Sequence, residues 1–82
     1  MEKEYKIDYD LFNVHEIMKI VKFFNMIEGY KYKKPSKEEM VNSYREYQTI
    51  LNNKTLEKQY DKMLFDKSRV SIYKTMMRIM GK

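Results

Sequence analysis

At 82 residues the chain has room for one domain. Without cysteine, that domain forms no disulfide, thiol chemistry or Cys-containing zinc site. The formal charge of +5 and pI near 9.3 favour anionic partners, yet 14 of the 17 basic residues are lysines. Only Arg45, Arg69 and Arg78 carry the planar fork that reads guanine, and the lack of Ala and Trp beside abundant Lys, Asn, Ile and Tyr fits an AT-rich genome.

The N-terminal MEKEYKIDYD is charged and has no apolar core, so no signal peptide is expected. Over residues 1–12, Tyr5, Ile7 and Tyr9 alternate with Lys6 and Asp8, which predicts an extended strap lying on a bundle. Asn13 and Glu16 are spaced as a capping box, and Phe12 and Ile17 as the accompanying hydrophobic staple. The first helix is predicted over 14–30, with Ile17, Ile20, Val21, Phe23, Phe24 and Ile27 as one apolar stripe and Lys19, Lys22 and Asn25 opposite. Met18 and Met26 fall beside the stripe, where they are partly exposed or touch the strap.

Residues 31–35, KYKKP, read as a basic connector, in which Pro35 ends any helix and pushes Lys34 to extended geometry. Ser36 and Glu39 suggest a second capping box. The second helix is expected over 37–51, with Met40, Tyr44, Tyr47 and Leu51 on one face. Asn52-Asn53 suits a stop, since Asn tolerates left-handed geometry and also caps a following helix. The third helix is expected over 54–67, with Leu56, Tyr60, Met63 and Leu64 together. A fourth, over 71–80, carries Ile72, Met76 and Ile79. The expectation is one all-α domain over 1–82: a three-helix bundle, a short C-terminal helix and an N-terminal strap. The positive excess concentrates in residues 31–37 and 69–82.

These pieces, in order, resemble uncharacterised protein family 0223, a family of small proteins of low-GC Gram-positive bacteria. The resemblance rests on Tyr5-Ile7-Asp8, Glu16-Ile17 with Phe23-Phe24 and Ile27-Glu28, Tyr44-Arg45-Glu46-Tyr47, Lys54 with Glu57-Lys58, and the run from Ser68 to Lys74. It spans residues 5–76 approximately and implies an all-α fold of three or four helices in the cytoplasm. It implies no activity. Arg69 stands where the family has glycine, so a left-handed turn there is strained or differently built. Phe12 stands in for a tryptophan common before the first helix.

No residue set points to catalysis, a cofactor or a metal. His15 is the single histidine and reads as an exposed first-turn residue. Glu57 and Asp61 interleave with Lys58 and Lys62 as a solvated charge ladder. Two glycines cannot make a phosphate loop, and no Ser-His-acid set has a recognisable surrounding. The longest apolar runs, such as Phe23-Phe24 and Met76-Met77, are far short of the ~20 residues a membrane span needs. The run Tyr30, Lys31, Tyr32, Lys33, Lys34 mixes rings and cations as single-strand binders do, but equally suits a solvated loop with one tyrosine packed on the bundle. A helix-turn-helix built from the second and third helices would set acids against phosphate. The eight methionines and eight tyrosines fill a core without alanine or face a partner, and Met76, Met77 and Met80 cannot all be buried by one short helix.

The function expected is therefore that of a cytoplasmic, non-enzymatic protein-interaction module without cofactor, metal or membrane anchor, as a monomer or weak homodimer. The candidate interaction surface comprises Tyr30, Lys31, Tyr32, Lys33, Lys34, Arg69, Tyr73, Lys74, Met77 and Arg78. The alternative is nucleic-acid binding through segments 31–37 and 69–82.

Overall fold

Each of the four longer helices starts at a small polar residue whose side chain accepts the backbone N–H three positions on, satisfying one of the donors that a helix start leaves unpaired. Asn13 opens α1 (Val14–Glu28), Ser36 opens α3 (Lys37–Leu51), Asn53 opens α4 (Lys54–Ser68) and Ser71 opens α5 (Ile72–Met80). Between the first two lies a single turn, α2 (Tyr30–Lys33). The computed structural model describes residue 5 and residues 7–81, except the side chain of Lys31. The expected strap at residues 1–4 and 6, and Lys82 of the C-terminal basic segment, lie outside the described residues. Among those residues there is no strand, and the fold is all-α.

Several local expectations change. The first helix ends at Glu28, not residue 30, because Gly29 leaves helical geometry at ψ 6°. The basic connector is itself helical from Tyr30 to Lys33, closed by a bond from the Lys34 N–H to the Tyr30 carbonyl. Lys34 is left-handed (φ 46°) rather than extended: Pro35 excludes the right-handed region, and a left-handed cap avoids the clash while ending the turn. The capping box at Asn13 is complete, with Glu16 returning a bond to the Asn13 N–H at 3.0 Å. At Ser36 only the hydroxyl half forms. Asn52 takes the left-handed stop and Asn53 the cap, so the pair divides both jobs.

The third helix of the bundle, α3, is its centre: α1, α4 and α5 all pack on it, and α4 also meets α5. Ile20, Phe23, Phe24 and Ile27 of α1 bury against Met40, Tyr47 and Leu51 of α3. Tyr60 and Leu64 of α4 and Ile72, Met76 and Ile79 of α5 complete the core. With no alanine to bring backbones close, large rings fill the centre. Phe23 and Tyr47 lie 4.8 Å apart by ring centroids, and Phe24 meets Tyr5, Tyr47 and Tyr60 edge-on at 5.0, 5.7 and 6.1 Å.

Among its described residues, the strap docks through Tyr5, Ile7 and Phe12. Ile7 is buried, and Tyr5 packs on Phe24. Tyr9 does not follow the alternation. A turn closed by Leu11 N–H to the Asp8 carbonyl swings it into solvent, while the Asp8 N–H donates to the Tyr60 hydroxyl at 3.0 Å.

Glu28 ties the end of α1 to the end of α4. Its carboxylate accepts from the Ser68 hydroxyl and, at 2.7 Å, from the Tyr5 hydroxyl, with Lys67 Nζ at 3.6 Å. Burial alone would raise its pKa, but the bonds from Ser68 and Tyr5 and the Lys67 charge outweigh that and hold the carboxyl below its ordinary value. Burial and the adjacent Glu28 carboxylate push the Tyr5 phenol up.

Candidate functional site

Because Glu28 binds Ser68, the chain leaving α1 and the chain leaving α4 emerge at one end of the bundle. Tyr30 packs on the core there, while Tyr32 is 85% exposed and Lys33 and Lys34 are solvated. Arg69 caps α4 at the same end in the left-handed region (φ 60°, ψ 29°), and its guanidinium sits 5.9 Å from the centre of the Phe65 ring. The remaining candidate residues lie on α5. Tyr73, Met77 and Met80 fall three and four positions apart on its outward side, with Lys74 and Arg78 also exposed. Met76 is buried and Met77 is 53% exposed, which divides the methionines of this helix between core and surface.

Two concave features bring together residues that sequence reading took for core or solvated surface. The first follows the outer flank of α1. Ile17, Met18, Val21 and Met26 form its apolar floor, and Lys22 and Lys33 stand at its rim. Val14 and Met18 are 69% and 62% exposed, and the Met26 sulfur accepts from the Ser43 hydroxyl of α3 at 3.4 Å. The signal was present in the sequence: α1 is apolar over more than one stripe, and between Ile17 and Ile27 only Lys19, Lys22 and Asn25 interrupt it. Lys19 leans instead towards Glu46 at 3.8 Å, both side chains being more than half exposed, so this pair contributes little.

The second feature is a cleft of about 440 Å³ between α3, α4 and the start of α5. Tyr44 and Tyr47 of α3 form one wall, and Tyr73 and Lys74 of α5 another. The third wall corrects the solvated charge ladder. Glu57 and Asp61 are partly buried and turned to the cleft, and Asp61 Oδ1 accepts from the Ile72 N–H at 2.9 Å. The Tyr47 hydroxyl is buried without a hydrogen-bond partner among the described residues. Burial, then the Glu57 and Asp61 carboxylates, push the phenols of Tyr44 and Tyr47 up, so both stay protonated donors at neutral pH.

Among the described residues, no group of three or more His, Asp or Glu is placed to hold a metal ion, and no helix is long and apolar enough to cross a membrane.

The sequence profile of the uncharacterised protein family UPF0223 matches residues 2–81. The chain belongs to this family. It is 38% identical over 78 residues to the UPF0223 protein of Bacillus cytotoxicus, covering 95% of this chain and 86% of that one. It is 37% identical over 79 residues to the UPF0223 protein of Staphylococcus epidermidis, covering 96% and 85%. The UPF0223 protein of Bacillus mycoides is 36% identical over 78 residues, covering 95% and 86%. No solved structure matches the chain. UPF0223 relatives therefore occur in low-GC Gram-positive bacteria, and they carry no stated activity.

Proposed function

We propose that this UPF0223 chain is a cytoplasmic, non-enzymatic protein-interaction module whose groove along α1 receives an acidic amphipathic helix of a partner protein. The observation that carries this reading is the exposed Met18 on a floor shared with Ile17, Val21 and Met26, with the exposed Val14 one turn before it on the same helix. Helix-in-groove recognition uses such a floor, and methionine adapts its shape to what it meets. Among the described residues the lining contains Lys22 and Lys33 and no carboxylate, so the complementary rim is acidic. A second copy of this chain fits less well, because a two-fold contact at this groove sets the same lysines against each other.

Titration of isotope-labelled protein with an acidic amphipathic helical peptide, and with a basic peptide of equal hydrophobicity, tests this. The acidic peptide is expected to shift the amides of Ile17 to Met26, and Met18→Glu to abolish the effect without loss of fold. Equal response to both peptides, or none along α1, overturns it. Light scattering on the same samples reports self-association.

A second reading, nucleic-acid binding, is supported by Tyr32, Lys33, Lys34 and Arg69 sharing one end of the bundle. It calls for single-stranded oligonucleotide binding at low salt that Lys34→Glu with Arg69→Glu removes.

A further inference from the structure

The cleft between α3, α4 and α5 is separate from the α1 groove and has a different chemistry. We infer that it binds a nucleoside monophosphate. Tyr47 is only 2% exposed, lines the cleft and carries a hydroxyl with no partner among the described residues, whereas a phenylalanine would fill the same space without burying an unpaired donor. The hydroxyl itself is buried, so a ligand acceptor atom satisfies that donor once the cleft wall shifts to uncover it. Tyr44 is half-buried on the wall, and Tyr73, mostly exposed, lines the same cleft from α5. Tyr73 can therefore move aside and close on a planar ring, the stacking that aromatic side chains give any nucleobase. The Gln48 amide beside them offers both a donor and an acceptor to a base edge.

The remaining groups suit a single phosphate. Lys54, Lys58 and Lys74 line the cleft with Glu57 and Asp61, which leaves an excess of one positive charge. That balance matches one phosphate better than a chain of them. Ser71 accepts from the Lys74 N–H through its oxygen, so its own proton is free to donate at the start of α5. Asp61 is engaged by the Ile72 N–H, which draws its charge away from the ligand.

Calorimetric titration of the full chain with AMP, GMP, CMP and UMP tests the site, with adenosine, ribose 5-phosphate and inorganic phosphate as separate arms. At least one monophosphate is expected to bind, with each part binding at least about tenfold more weakly. Tyr47→Phe is expected to keep or raise the melting temperature, since it removes an unpaired buried donor, yet to weaken binding by about tenfold. Lys74→Gln is expected to leave the fold intact and to lessen the advantage of the monophosphate over the nucleoside. Binding of inorganic phosphate as tight as that of every nucleotide overturns the proposal. So does affinity unchanged in Tyr47→Phe, or the absence of binding up to about 5 mM.

Discussion

At φ 60° Arg69 occupies backbone space that a side chain enters at a cost of about 1 kcal/mol and that glycine enters freely. The guanidinium on Phe65 offsets part of that cost. Arg69→Gly is therefore expected to stabilise the fold by about 0.5–1 kcal/mol, read as a higher urea midpoint with unchanged slope. Glu28 is the opposite case, a side chain whose charge the fold requires. Its folded pKa lies below the unfolded value of about 4.3, so its contribution is present above that pH and is lost as pH falls through the folded value. Glu28→Gln is expected to cost about 1–2 kcal/mol at pH 7 and to flatten the acid limb of the stability profile, measured by denaturation from pH 7 downwards. The Glu28 motif could be read in the sequence, but its partners could not. Ser68 and Tyr5 lie 40 and 23 residues away, and only packing brings them to one carboxylate.

The helices differ in how firmly their starts are set. The Asn13–Glu16 box satisfies donors in both directions, while Ser36 acts alone. Asn13→Ala is expected to cost about 1–2 kcal/mol and Ser36→Ala about 0.5–1, a difference that thermal melts of the two variants resolve. Helix positions were legible because caps and apolar spacing are short-range features of the chain. Ser36 and Asn53 cap where the polar-then-apolar pattern begins, whereas Ser71, expected as the first residue of the last helix, is its cap. The one-turn helix α2 was not legible, because KYKKP is basic and short, and nothing local distinguishes a solvated loop from a turn wound on Tyr30. The outer flank of α1 was legible only in part: Met18 and Met26 fall beside the stripe, but how deeply they and Val14 are buried depends on which side α3 takes.

Across the whole molecule, stability converges on one aromatic junction. Phe24 touches rings from the strap, α3 and α4, so removing it opens a cavity that no single helix can close by shifting. Phe24→Ala is expected to cost about 3–5 kcal/mol, enough in a domain this small to leave an appreciable unfolded fraction at 37 °C by circular dichroism. Phe24 and Ile27 of α1 and Met40 of α3 could be named as core from periodicity alone, because a helix of fixed pitch puts each on the apolar side of its own helix whatever lies opposite. The cleft could not be named. Tyr44 and Tyr47 read as core, and Glu57 and Asp61 as a charged surface. They line one space only because α5 folds back and offers the Ile72 N–H to Asp61. The amino-acid sequence by itself determined the helical class, the caps and the buried stripes, since these follow from interactions within a few residues. Tertiary packing alone decided the groove on α1, the cleft beside Tyr47 and the partners of Glu28, since each depends on contacts between side chains far apart in the chain.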